Sequence, residues 1–128
     1  MKRTKRCLAG VVLLALASTA THAATSDKGR LEGTLRLDAK SVDVEGAFDA
    51  RRIELHFGAP YACKVSADRF AGIDGERRYR FGISPNGGRF CDRLRGSEMT
   101  LTGQEPDLVL RVVSPDGVWS GRVFLPDH

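Results

Sequence analysis

Apolar and polar residues alternate one by one along most of the chain after residue 29. Successive side chains of an extended strand point to opposite faces, so this alternation predicts strands with one buried face. The runs cover residues 30–38, 42–48, 52–57, 61–67, 78–83, 98–102, 107–113 and 118–125. No window of useful length has the helical period. We therefore expect an all-β protein, a small antiparallel β-sandwich or closed β-barrel of about eight strands.

Turn-forming residues separate these runs. Because proline cannot donate to a strand ladder, it belongs at strand ends. Four prolines follow this rule, namely Pro60, Pro106, Pro115 and Pro126. Residues 84–88, Ser-Pro-Asn-Gly-Gly, are a strong turn signal because Asn and Gly tolerate a positive φ. No linker or repeat interrupts the pattern, which predicts a single β domain over residues 24–128.

The first 23 residues follow a different pattern. Four basic residues precede an apolar run over residues 8–17, and small residues follow. This order is typical of a secretory signal peptide, which we expect to be cleaved from residues 1–23. Cys7 precedes the apolar run and should be lost with it. An apolar run of about ten residues is too short to span a bilayer, so we expect a periplasmic or secreted protein without a membrane anchor.

Loss of the signal peptide changes the charge balance. The whole chain has 20 Lys and Arg against 16 Asp and Glu, a net charge of +4. Residues 1–23 hold four of the basic residues and no acidic one, so the expected mature chain is neutral. A neutral domain lacks the electrostatic basis for general nucleic-acid binding, and we predict no nucleic-acid partner.

Two cysteines, Cys63 and Cys91, follow the signal peptide. Export places them where disulfides form, and only one intramolecular pairing is available, so we predict a structural disulfide. The 27 residues between them disfavour the alternatives of a metal site or a reactive thiol pair. We accordingly expect no metal and no cofactor.

Arginine is concentrated between and just after the cysteines. Arg78 and Arg80 share one face of a predicted strand, and Arg89, Arg93 and Arg95 lie near the second cysteine. If the disulfide brings them together, they could form a patch that binds carboxylates or phosphates through bidentate hydrogen bonds. The alternative is a solvated face balanced by neighbouring Asp and Glu residues.

The loop before the second cysteine combines glycines with an aromatic residue. Gly87 and Gly88 precede Arg89 and Phe90, and a disulfide would hold such a loop rigid for insertion into a partner's cleft. The alternative is a hairpin turn with Phe90 folded inward. The candidate binding residues are Arg78, Arg80, Asn86, Arg89, Phe90, Arg93 and Arg95.

His56 is the strongest candidate for catalysis, because histidine can act as a base at neutral pH. Arg52 and Glu54 flank it on the same predicted strand face. No nucleophile or metal-binding motif accompanies it, and the alternation places it on an outward face. We therefore predict that the protein is not an enzyme, with a small hydrolase that uses His56 as an alternative.

Three functions follow from these observations. We favour a non-enzymatic binding protein, an inhibitor or immunity protein that acts against an envelope-acting enzyme or toxin and contacts an acidic face of its protein partner. The second is an accessory subunit of an envelope assembly or secretion system, docked through an exposed strand edge. The third is the hydrolase. The sequence leaves the oligomeric state open.

Overall fold

The computed structural model describes residues 28–73, 75–85 and 87–126. The expected signal peptide and Asn86 lie outside these ranges. The eight strands are β1 Gly29–Leu37, β2 Lys40–Phe48, β3 Arg52–Phe57, β4 Cys63–Ile73, β5 Glu76–Phe81, β6 Glu98–Gln104, β7 Asp107–Ser114 and β8 Gly117–Phe124. A short helix, α1 Arg89–Asp92, lies between β5 and β6. No helix within the described ranges is long and apolar enough to cross a membrane.

The eight strands form a closed antiparallel barrel. Each strand pairs with the next along the chain, and β8 pairs back with β1. This confirms the prediction of an all-β fold with about eight strands, and it selects the barrel over the sandwich. Closure pairs every described strand on both sides, so none of them presents a free edge.

Two glycines allow β1 and β8 to meet at the closing seam. A Cβ atom on Gly121 would lie 2.0 Å from the carbonyl oxygen of Thr34, and one on Gly33 would lie 2.3 Å from that of Arg122. Backbone oxygens cannot move aside as a flexible side chain can. A side chain at either position would therefore force the two strands apart and weaken closure.

The barrel interior is filled by the inward side chains of the strands. In β3, Ile53, Leu55 and Phe57 are buried, while the intervening residues are exposed. Trp119 of β8 is 1% exposed and lies in the same core. Burial of this apolar surface is the main favourable term in folding, and the alternation along the chain reports it directly.

The β4–β5 hairpin extends further than the sequence indicates. Residues 68–77 lie between two predicted runs and are mostly polar, which predicts a connection there, but β4 continues to Ile73 and β5 begins at Glu76. The segment is polar because it lies beyond the core, at the barrel rim, and not because it lacks strand structure. A β-bulge between Arg69 and Ala71 interrupts the pairing within this extension.

Antiparallel strands place successive connections at opposite ends of the barrel. The disulfide end carries the β1–β2, β3–β4, β5–β6 and β7–β8 connections, together with α1. The opposite end carries the β2–β3, β4–β5 and β6–β7 turns. These two ends have different chemistry.

Candidate functional site

A disulfide joins Cys63, at the start of β4, to Cys91 of α1. The two Cα atoms are 6.1 Å apart, and both residues are buried. The predicted disulfide is therefore confirmed, and such bonds are typical of an oxidising, extracytoplasmic compartment. The bond fixes α1 to the barrel wall at the disulfide end.

Phe90 attaches α1 a second time, through aromatic contacts. Its ring stacks on Tyr61 with the centroids 4.1 Å apart and the planes at 16°. It also meets Phe57 and Trp119 edge-on, at 5.0 and 5.8 Å. The Phe90 ring thus points inward, which is the alternative that the sequence left open. Its contacts with these aromatic residues hold the segment against the barrel.

Arg93 provides a third attachment, to the β7–β8 turn. Its Nη2 atom lies 2.9 Å from Oδ1 of Asp116. Both side chains are almost half exposed, so this ion pair stabilises by about 1 kcal/mol at most. Its main effect is to orient the Arg93 guanidinium at the surface.

The loop between β5 and α1 is held against β4. The Gly82 N–H donates to the carbonyl oxygen of Ser66 at 2.9 Å, which continues the strand pairing beyond β5. The buried Ser84 hydroxyl donates to the carbonyl oxygen of Lys64 at 2.6 Å. Ile83, between these two anchors, is 69% exposed. The alternation of the run 78–83 predicts a buried Ile83, and this prediction is wrong, because β5 ends at Phe81 and the chain has already left the barrel wall.

The outer side of α1 and the residues just after it are rich in arginine. Cys91 and Leu94 point inward and are buried, whereas Arg89, Arg93 and Arg95 are exposed. Among the described residues, no carboxylate lies within ion-pair distance of Arg89 or Arg95. We name the disulfide-end surface by its four exposed residues, Ile83, Arg89, Arg93 and Arg95.

Arg78 and Arg80 form a separate cluster on the outer barrel wall. They lie 2.8 and 3.6 Å from the carboxylate of Glu98. The hydrogen bond from Arg78 is the largest cause that lowers the pKa of Glu98 below its usual value of 4.5. Both guanidiniums also lie over the ring of Phe70, at 5.2 and 4.3 Å. These two arginines are therefore partly neutralised by contacts within the wall.

Three of the seven candidate binding residues, Arg89, Arg93 and Arg95, are exposed in or just after α1. Phe90 packs inward, and Arg78 and Arg80 lie on the barrel wall. Asn86 is outside the described residues. The sequence pattern does not identify Ile83 as a surface residue. The one signal that β5 ends before Ile83 is the turn cluster at residues 84–88.

His56 lies on the exposed outer face of β3, opposite Glu45 of β2 and Lys64 of β4. It lines a shallow open groove together with Glu45 and Glu54. No described hydrogen bond or ion pair joins His56 to a carboxylate. No group of three His, Cys, Asp or Glu residues in the described part of the chain is placed to hold a metal ion.

The fold and the disulfide define a class of protein. It is a closed barrel of eight antiparallel strands, filled by core side chains, with a disulfide-linked segment at one end that carries exposed arginines. A scan against protein-family models and searches of curated proteins and of solved structures found no match to the chain.

Proposed function

We propose that the protein is a non-enzymatic binding protein of the periplasm or the secreted fraction, and that it binds an acidic protein partner through the disulfide-end surface. The observation that supports this most is the triple attachment of the α1 segment. A disulfide, an aromatic stack and an ion pair hold it, while Arg89 and Arg95 remain exposed without an ion-pair partner among the described residues. Because the backbone of this segment is already fixed, its ordering adds little conformational entropy cost on binding.

The chemistry of the surface indicates the chemistry of its partner. Arginine binds carboxylates in a bidentate geometry and is over-represented at protein interfaces. Ile83, in the loop between β5 and α1, adds an exposed apolar side chain at the same end of the barrel. A partner that offers carboxylates around a small apolar contact would complement both features.

An inhibitor or immunity protein, directed against an envelope-acting enzyme or toxin, is the form of this proposal that we favour. A rigid loop on a stable scaffold is suited to filling a cleft in another protein. The barrel interior is occupied by core side chains, so recognition is expected on the outside. A partner with carboxylates in or around its cleft would meet Arg89, Arg93 and Arg95.

The two alternatives fit less well. The accessory-subunit hypothesis relied on an exposed strand edge, and the described strands are all paired. One observation still favours the hydrolase hypothesis: His56 lines a groove together with Glu45 and Glu54. It predicts that a His56→Ala variant loses an activity that the wild type has in envelope extracts.

Affinity capture with a charge-reversal variant tests the proposal. The tagged protein and its Arg89→Glu/Arg95→Glu variant are exposed to envelope extracts and to secreted fractions of neighbouring bacteria, and the retained proteins are identified by mass spectrometry. An Arg36→Glu/Arg122→Glu variant, changed to the same extent on the β1 and β8 outer wall, is the matched control. We expect one stoichiometric partner with the wild type and the control, and none with the first variant. Equal retention by all three would refute the assignment of this surface.

A further inference from the structure

Two arginines face each other at the opposite end of the barrel. The Arg69 N–H donates to the carbonyl oxygen of Arg51 at 2.7 Å. This bond continues the pairing of β3 with β4 by one residue beyond the Arg52–Asp68 pair. Arg51 and Arg69 are therefore direct cross-strand neighbours, a relation in which Cβ atoms are about 4.5 to 5.5 Å apart.

The adjacent pair shows what is unusual about these two residues. Arg52 and Asp68 have opposite charges, and they form an ion pair at 3.1 Å. Arg51 and Arg69 have the same charge, which destabilises a directly opposed pair. Among the described residues, neither has a carboxylate within ion-pair distance. Among the described residues, neither arginine is thus neutralised by a direct ion pair, and a bound anion would relieve their repulsion.

The backbone around this pair is fixed. The Asp49 carboxylate accepts hydrogen bonds from the N–H groups of Arg51 and Arg52, at 2.8 and 2.9 Å. These bonds tie down the β2–β3 turn and lower the pKa of Asp49. The Arg69 guanidinium lies against Gly72, where a Cβ atom would be only 2.9 Å from its Nη2 atom. The backbone of Arg51 and the guanidinium of Arg69 are thus positioned without a ligand.

We propose that Arg51 and Arg69 bind a phosphate group in the concave rim that they line with Arg52, Asp49 and Asp68. A carboxylate has two oxygens and is satisfied by one guanidinium, whereas a phosphate has enough acceptor oxygens for two. Its double charge also balances both arginines. This site lies at the barrel end away from the disulfide-end surface, and it does not depend on the proposed function.

Titration with inorganic phosphate at constant ionic strength tests the site. In NMR spectra of the purified protein, the side-chain Nε–H signals of Arg51 and Arg69 should shift together and saturate, with a dissociation constant on the order of 1 mM. Arg51→Gln and Arg69→Gln should each weaken binding about tenfold, because each removes charge-assisted hydrogen bonds. Arg36→Gln, on the β1 outer wall, should leave it unchanged.

The same variants carry a second signature, in thermal stability. Without phosphate, Arg51→Gln should raise the melting temperature relative to wild type, because it removes the like-charge contact. In saturating phosphate the order should reverse, because the wild type binds more tightly and therefore gains more binding energy than the variant. If Arg51→Gln lowers the melting temperature without phosphate, or if the Arg51→Gln/Arg69→Gln variant binds phosphate as well as wild type does, the proposal is wrong.

The phosphate could be free or part of a lipid headgroup, and a vesicle experiment separates the two sources. Vesicles of phosphatidylcholine are compared with vesicles that also contain phosphatidic acid, a phosphomonoester whose headgroup can carry a second negative charge. Retention on the second kind alone, lost in the Arg51→Gln/Arg69→Gln variant, would assign the site to a lipid phosphate. Saturable binding of inorganic phosphate without such retention would assign it to a soluble phosphate. Absence of both would overturn the proposal.

Discussion

The two ends of the barrel are closed by different chemistry. At the disulfide end, Cys91 is bonded to Cys63, and the Phe90 ring packs on Tyr61. At the opposite end, Arg77 and Glu105 form an ion pair at 3.7 Å, with side chains only 15% and 9% exposed. The Arg77 guanidinium also lies 5.3 Å from the centre of the Phe48 ring. One end is closed by covalent and apolar contacts, and the other adds a largely buried ion pair to its apolar packing.

This difference shows how closure and recognition can be separated. Where a disulfide and aromatic rings hold the α1 segment, Arg89 and Arg95 are left exposed at the surface. At the opposite end, the Arg77 side chain is largely buried and forms its ion pair within the fold. Burial there raises the pKa of Tyr79 above its usual 10.0, against the opposing effect of Arg77. At the disulfide end, Arg93 pairs with Asp116, whereas Arg89 and Arg95 have no ion-pair partner among the described residues.

Removal of the disulfide should have the largest effect on stability. A Cys63→Ala/Cys91→Ala variant removes the bond between two residues that lie 28 positions apart in the sequence. The free energy of unfolding should fall by about 3 to 4 kcal/mol, because the unfolded chain gains conformational entropy. Urea unfolding of the variant and the wild type measures the difference. A loss below about 1 kcal/mol would mean that the disulfide end is held mainly by its apolar contacts.

Disruption of the charged closure should have the next largest effect. Glu105→Gln leaves the Arg77 guanidinium partly buried without its carboxylate, and we expect a loss of about 1 to 3 kcal/mol in unfolding free energy. The Arg77→Met/Glu105→Gln variant removes both charges and should recover part of that loss. Double-mutant analysis by urea unfolding gives the coupling. If the effects of the two substitutions on the unfolding free energy are additive, the two side chains do not interact, which would contradict a stabilising ion pair at this end.

Replacement of Phe90 distinguishes a role of this residue in stability from a role in partner binding. Phe90→Leu keeps most of the apolar volume but removes the aromatic contacts, so stability should fall by about 1 to 2 kcal/mol. Partner affinity should stay unchanged, because the ring packs inward. Thermal unfolding and partner titration measure the two quantities. A selective loss of affinity with normal stability would show that Phe90 contacts the partner.

Acid should weaken the opposite end by a smaller amount. Hydrogen bonds from the Arg51 and Arg52 N–H groups hold the pKa of Asp49 below its usual 3.8. A carboxylate with a lowered folded-state pKa contributes stability above its unfolded pKa, and that contribution is lost as the pH falls through the folded value. The stability difference between wild type and Asp49→Asn should therefore be present at neutral pH and shrink in strong acid. A pH series of thermal unfolding measures it, and a constant difference would contradict this account.

The fold was largely predictable from the sequence because burial imposes period-2 alternation on every strand, as in β3. The choice of a barrel over a sandwich was not, because both bury one strand face. That choice depends on the β1–β8 pairing, where Gly33 and Gly121 permit close approach. The sequence also cannot tell whether an aromatic residue in a loop points inward, and contacts with Tyr61 and Trp119 decide this for Phe90.

The site was predictable only in part. Exposure of Arg89, Arg93 and Arg95 follows from their charge, but the separation of Arg78 and Arg80 does not. The latter pair depends on cross-strand pairing with Glu98, which is distant in sequence. The Arg51–Arg69 contact is likewise set by strand register, which composition does not reveal.

The dissociation constant of the captured partner, measured for three proteins side by side, tests the central claim most directly. These are the wild type, Arg89→Glu/Arg95→Glu and the wall control Arg36→Glu/Arg122→Glu. Our account predicts that the Arg89→Glu/Arg95→Glu variant binds at least about tenfold more weakly than the other two at moderate salt, since two charge-assisted contacts are reversed. Equal constants for all three, or a loss confined to the wall control, would contradict it.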